Sequence, residues 1–283
     1  MFTLALFALL AFAIPAALFA GGGTEIPAPE ITTDLSPTTY ISPGQADTVQ
    51  DTMGFVVSIL PAERMVIKSY KFQIVGPDGT AVYTQEGRVE EEEPFFGRMF
   101  IAIGFAGLKT PVVVPDFFEW GGTDDDGELV PDGTYTLIVS GTDDKENEGS
   151  GETYDIIVDN TPPSMVLNLP YLVFSPNDDG NQDILIIEHA GSVEESWSGA
   201  LTDEDGATIQ SYPWEREAPD NITWDGTGTD DERVPDGLYS YSVTGVDLAG
   251  NTTVVESSEF RVDTRDTPIS LTREPGYFSP NDD

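Results

Sequence analysis

WGGTDDDGELVPDGTY, Trp120 to Tyr135, decides how this chain is read, because it recurs as WDGTGTDDERVPDGLY, Trp224 to Tyr239. The copies are offset by 104 residues (224 less 120), with no gap in either. Trp, the second Gly (Gly122 and Gly226), Val-Pro-Asp-Gly and Tyr all coincide. The register also holds outward: Val158-Asp159 matches Val262-Asp263, and Phe174 to Asp179 (FSPNDD) matches Phe278 to Asp283. A fixed period of this size marks a repeated module of domain dimensions.

Val-Pro-Asp-Gly is a turn signal, with Pro131 or Pro235 presetting φ and Gly133 or Gly237 suited to the last position. A strand in strict alternation follows. Tyr135, Leu137 and Val139 share one face in the first copy, and Tyr239, Tyr241 and Val243 in the second. Trp120 and Trp224 precede the turn, on the expected partner strand, and are read as core anchors rather than exposed ligand-stacking rings. Gly76-Pro77-Asp78-Gly79 aligns with Asp203-Glu204-Asp205-Gly206 as a hairpin turn in each copy. Short alternating strands between frequent turns predict an all-β chain of tandem Ig-like antiparallel β-sandwiches, two complete modules and the start of a third.

Composition narrows the partners. The chain has 283 residues, 12 Lys and Arg against 51 Asp and Glu, and a net charge of −39. Such a field makes nucleic acid and anionic membrane surfaces poor partners and cations natural ones. There is no Cys, so disulfides and thiolate metal sites are excluded. Met1 to Ala20 is nearly all apolar and resembles a signal peptide cleaved after Ala20, with an uncleaved membrane anchor as the alternative. The expected location is exported: periplasm, outer membrane or cell surface.

The expected division is residues 1–20 signal peptide, 21–38 linker or first edge strand, 39–161 module 1, 162–267 module 2 and 268–283 the start of module 3. Ser42-Pro43 matches Ser175-Pro176 at a distance of 133 residues, so module 1 carries 29 extra residues. Most fall within 90–114, where four Glu precede the apolar set Phe95, Phe96, Met99, Phe100, Ile101, Ile103 and Phe105. That patch is either a lid on its own module or a docking surface for a neighbour.

SPNDDGNQD (Ser175 to Asp183), Trp224-Asp225-Gly226, VPDGLYSY (Val234 to Tyr241), the turn DLAGN (Asp247 to Asn251) and a closing Val262-Asp263 together resemble the FlgD-type Ig-like domain. The resemblance covers about 165–267 well, and 40–161 with a degenerate start and the insertion. It implies non-enzymatic modules strung in tandem behind a signal peptide, as spacers or assembly modules. Some chains of that family end in an OmpA-like or surface-sorting domain. Adjacent modules of the same chain are then the first partners, with a cell-envelope protein or glycan as a further one.

Catalytic chemistry has little footing. His189 is the single His, and no Ser stands in a nucleophile-elbow setting. The chain is therefore read as no enzyme. One metal hypothesis survives. Asn177, Asp179, Asn181 and Asp183 place oxygens at alternate positions around Gly180, a spacing that can wrap Ca²⁺. Asp159-Asn160 would add oxygens if it folded back toward that loop. The competing reading is an Asx-rich turn whose side chains cap their own backbone. The leading function is thus an exported structural spacer displaying or tethering a further domain. An adhesive or assembly-directing binding module, calcium-stabilised, is the alternative.

Overall fold

The computed structural model describes residues 26–45, 49–89, 111–265 and 270–272. The apolar patch Phe95, Phe96, Met99, Phe100, Ile101, Ile103 and Phe105 lies outside the described residues, as do residues 1–20 and 273–283. Among the described residues there are strands but no helix, and the strands fall into two series of nine in the same order. Module 1 contains β1 (Glu30–Thr33), β2 (Thr38–Ile41), β3 (Met53–Leu60), β4 (Ile67–Val75), β5 (Ala81–Arg88), β6 (Phe117–Trp120), β7 (Gly133–Asp143), β8 (Glu148–Ser150) and β9 (Tyr154–Val158). Module 2 contains β10 (Met165–Asn168), β11 (Val173–Phe174), β12 (Leu185–Gly191), β13 (Ser196–Asp203), β14 (Thr208–Glu215), β15 (Asn221–Trp224), β16 (Gly237–Val246), β17 (Thr252–Glu256) and β18 (Phe260–Val262).

Each module is a two-sheet sandwich. In module 1 a small sheet runs β1-β3-β6 and a larger one β2-β9-β7-β4-β5, with β8 alongside β7. Module 2 repeats this as β10-β12-β15 and β11-β18-β16-β13-β14, with β17 alongside β16. The chain is all-β and its modules are tandem Ig-like sandwiches.

Two features refine the sequence reading. Residues 30–33, inside the expected linker, form β1 and pair with Val57 to Leu60 of β3. The opening strand of each module then changes sheets, so β2 pairs with β9, and β11 with β18, in parallel. Proline explains the break. Pro37 and Pro170 stand between the two halves of these strands, where a missing N–H prevents one continuous ladder.

Alternation sorts the residues into core and surface. In β3, Met53, Phe55, Val57 and Ile59 face inward while Gly54, Val56 and Leu60 face out. The two cores are separate clusters, one drawn from Ile41 to Val158 and the other from Met165 to Val262. The hairpin turns align as expected. Gly79 and Gly206 adopt φ of 82° and 80°, and each donates its N–H back to the residue three before it, Gly76 or Asp203.

The repeated block is the structural centre of each module. Trp120 and Trp224 are each 2% exposed, and each indole N–H donates 2.7 Å to the carbonyl of Thr123 or Thr227. The rings meet Tyr135 and Tyr239 at 5.7 and 5.6 Å between centroids. Those tyrosines reach back four residues, their hydroxyls donating to Pro131 and Pro235 carbonyls at 2.7 and 2.8 Å. This is the tyrosine corner of Ig-type sandwiches, present in both copies. Gly122 and Gly226 adopt φ of 66° and 82°, and a Cβ on either would collide with Pro43 or Pro176. The Ser-Pro and Trp-x-Gly signals recur together because they pack against each other.

Candidate functional site: the joint between modules

β16 and β17 are joined by the turn Asp247-Leu248-Ala249-Gly250-Asn251. Its scaffold is internal. Asp247 Oδ1 accepts the N–H groups of Ala249 and Asn251 at 2.8 and 2.9 Å, and Asn251 Nδ2 donates to Asp247 Oδ2 at 2.7 Å. What the turn does next crosses between modules. Asn251 Nδ2 also donates to the Asp159 carbonyl at 2.8 Å, and the Ser42 hydroxyl donates to Asn251 Oδ1. Ser42 is fully buried and Asn251 is 1% exposed. Buried polar groups in such a contact are tolerated because each has a partner.

Gly250 is the close-approach point. It lies at φ 86°, and a Cβ there would come within 2.7 Å of Val49 Cγ1 and 2.8 Å of Gln50 Oε1. The socket that receives the turn is fixed by module 1 itself. Ser42 N–H donates to the Gln50 carbonyl at 2.9 Å, and Asp159 N–H donates to the Ile41 carbonyl at 3.0 Å. Desolvation pushes the Asp159 carboxyl above its ordinary range, against the Thr161 N–H bond that lowers it, and the nearby Asp247 and Asp132 charges push it further.

Asn160 belongs to this socket and not to the acidic loop of module 2. Its Oδ1 accepts the Gly44 N–H at 2.6 Å, its Nδ2 donates to Asp132 at 2.9 Å, and its carbonyl accepts from Gln45. The idea that Asp159-Asn160 folds back onto the loop at Asn177 to Asp183 is therefore corrected. Its bonds to Gly44, Gln45 and Asp132 hold it against module 1.

That loop is organised around Asp183. Its Oδ1 accepts the N–H groups of Asn177 and Asp178 at 3.1 and 2.7 Å, and its Oδ2 accepts that of Gly180 at 2.7 Å. Desolvation works to raise the Asp183 carboxyl, but these backbone donors prevail and hold it below its usual range. Asp179 Oδ1 in turn caps Asn181 N–H at 2.8 Å, and Asn177 Oδ1 accepts Asp179 N–H at 3.1 Å. The oxygens of Asn177, Asp179 and Asp183 thus bond to the loop's own backbone, in the manner of Asx turns. Among the described residues no group of three His, Cys, Asp or Glu is arranged to hold a metal ion. Arg233, 55 residues away, reaches Asp178 at 2.8 Å and supplies the countercharge that the loop's own sequence lacks.

His189 is 7% exposed within the core of module 2. It stacks on Tyr241 at 5.6 Å and meets Trp214 edge-on, with Nδ1 at 2.9 Å from the Pro219 carbonyl. Burial pushes its pKa down, against the Pro219 bond. Among the described residues no Ser is bonded to it, and its ring contacts are those of a core aromatic.

No protein-family model matches the sequence. A search of curated proteins likewise returns no match. Solved structures do show similarity. The fibronectin(III)-like modules of Clostridium thermocellum CbhA align over 86% of this chain and 100% of theirs, at 12% identity and a TM-score of 0.36. A tetra-tandem repeat from the extending region of a large adhesion protein aligns over 83% of this chain and 50% of its own, at 14% identity and a TM-score of 0.33. A fragment of a 1.5-MDa bacterial ice-binding adhesin aligns over 84% and 66%, at 15% identity and a TM-score of 0.38. The chain spans half to about two thirds of the length of these two adhesin fragments.

Proposed function

We propose that this chain is an exported, non-enzymatic repeat protein of the bacterial cell envelope, whose Ig-like modules are held end to end as a semi-rigid spacer. One observation carries the reading: Asn251 of module 2 is buried between the Ser42 hydroxyl and the Asp159 carbonyl of module 1. A joint that buries and satisfies polar groups selects one inter-module geometry, because any other leaves them desolvated and unbonded. A merely flexible tether has no need of such a contact. Export follows from the apolar run Met1 to Ala20 and from the FlgD-type resemblance. It is tested by the mature N-terminus after secretion, expected at Gly21.

The joint is tested with spin labels. The chain has no Cys, so Glu86→Cys and Glu204→Cys place one label on an exposed site of each module. The expected inter-label distance distribution is narrow in the parent and broad in Gly250→Glu. The module fold should survive that change, since Glu146 occupies the equivalent left-handed position of module 1 at φ 64°. Equally broad distributions in both proteins would overturn the spacer reading.

A further inference from the structure

The outer end of module 2 carries the same socket that module 1 uses for the joint. We propose that Ser175, Gln182 and Asp263 form a docking site for the Asp-x-Ala-Gly-Asn turn of a further module of this repeat. The inference rests on the spacer reading and extends it from one joint to a repeating one.

Local geometry is the first argument. Ser175 N–H donates to the Gln182 carbonyl at 2.9 Å, as Ser42 does to Gln50, and the two glutamines share φ of 55° and 54°. Asp263 N–H donates to the Phe174 carbonyl at 3.1 Å, as Asp159 does to Ile41 at 3.0 Å. Phe174 pairs with Val262 in parallel, as Ile41 pairs with Val158. Thr264 N–H is held by Asp236 at 3.0 Å, as Asn160 N–H is held by Asp132 at 2.9 Å. The two groups that grip Asn251 in the existing joint, a serine hydroxyl and an aspartate carbonyl, are thus set on the same backbone framework in module 2. The difference is occupancy: Ser42 is buried and Ser175 only half-buried.

Spacing and charge agree with this occupant. Val262 stands before Phe278-Ser-Pro-Asn-Asp-Asp at the same distance as Val158 before Phe174-Ser-Pro-Asn-Asp-Asp. A further module in this register therefore leaves the socket on a linker of the same length as module 2 leaves its own. In the existing joint, the Asp247 of the incoming turn faces Asp159, a like charge. At the second socket Arg265 binds Asp263 through two bonds of 2.8 and 2.6 Å and lies 3.6 Å from Asp236. An incoming aspartate meets a compensated carboxylate there. Asn181 replaces Val49 in the wall, a polar edge in place of an apolar one.

The test extends the full chain past Asp283 with a copy of residues 180–265, which is in phase because Phe278 to Asp283 duplicates Phe174 to Asp179. Glu204→Cys in module 2 is combined with Glu204→Cys in the appended copy, and spin labels on these two exposed sites report their distance. The reference is Glu86→Cys with Glu204→Cys across the original joint. A cooperative melt of the extended chain verifies that the appended module folds. Both distance distributions should be narrow, and Gly250→Glu in the appended copy should broaden that of the second joint alone. A narrow distribution across the original joint with a broad one across the second overturns this inference and leaves the spacer reading intact. A second-joint distribution that stays narrow in Gly250→Glu also overturns it, since the contact is then not the turn. A broad distribution across the original joint overturns the joint itself, and both readings with it.

Discussion

Two turns, Asp143 to Asn147 in module 1 and Asp247 to Asn251 in module 2, have one skeleton and two fates. In module 1, Asp143 Oδ1 accepts Lys145 and Asn147 N–H groups at 2.8 and 3.0 Å, and Asn147 Nδ2 donates to Asp143 Oδ2 at 2.8 Å. The module 2 turn has the same bonds within about a tenth of an ångström. Yet Lys145 and Glu146 point to solvent where Ala249 is buried and Gly250 lies close to Val49. Glu146 instead pairs with Lys68 of its own module at 2.7 Å. The Asp and Asn that build the turn are therefore separable from the two residues that decide whether it docks. Ala-Gly makes a plug, and Lys-Glu makes a solvated end.

The repeated Trp is set alike in both modules, so the largest expected effect should not distinguish them. Trp120→Ala and Trp224→Ala should each destabilise the module concerned by about 3–5 kcal/mol, read from denaturant unfolding. A several-fold disparity between them would break the equivalence.

The two turns should differ at Asn. Asn147→Ala removes one internal side-chain bond and should cost about 1 kcal/mol. Asn251→Ala also strips the partners of the Ser42 hydroxyl and the Asp159 carbonyl, and should cost about 2–3 kcal/mol. Equal losses would mean that the joint contributes nothing to stability.

Acid should separate the modules more gently, with two opposite signs. His189 has a folded pKa below its unfolded value near 6.5, so its contribution is complete above that pH and lost as pH falls through the folded value. Module 2 should therefore weaken below about pH 6.5 by a route absent from module 1, and His189→Phe should remove that limb. Asp159 is the reverse: its folded pKa is raised, so its contribution is complete below the ordinary carboxylate range and lost as pH rises through the folded value. Asp159→Asn should tighten the joint at neutral pH, which melting against pH in both variants will show.

The smallest effect concerns calcium. The oxygens of Asp183 already bond to backbone N–H groups, so millimolar Ca²⁺ and Mg²⁺ at fixed ionic strength should shift the melting of the chain equally and slightly. A larger shift with Ca²⁺, abolished by Asp179→Ala with Asp183→Ala, would support the ion-binding reading of that loop over the Asx-turn reading.

What was legible in the sequence had a repeat behind it. Trp120 and Trp224, the Val-Pro-Asp-Gly turns and the alternating strands could be read because two copies with different surfaces kept the same core letters. Contacts made once were hidden. Arg233 meeting Asp178 spans 55 residues, and its counterpart in the first copy is Leu129, so alignment gave no hint. The plug and its solvated twin both read as polar turns, because docking depends on what Gly250 approaches in another module. The Tyr135 and Tyr239 hydroxyl bonds were concealed by a simpler explanation: an inward Tyr on an alternating strand already satisfies the pattern. The parallel pairings were missed because β11 has only two residues and offers no periodicity to read.

Those parallel pairings set how the chain would carry tension. The second and last strands of each module, β2 with β9 and β11 with β18, lie side by side and run the same way, so a pull that reaches them from the two ends of a module slides one along the other. All the hydrogen bonds between them are then loaded together instead of opening one at a time, which is the geometry that resists extension. The two modules are not equally strong in this respect: β2 and β9 are matched over four residue pairs, from Thr38 with Asp155 to Ile41 with Val158, whereas β11 and β18 are matched over two. Under a steady pull module 2 would yield first, and module 1 would be the last element to give way.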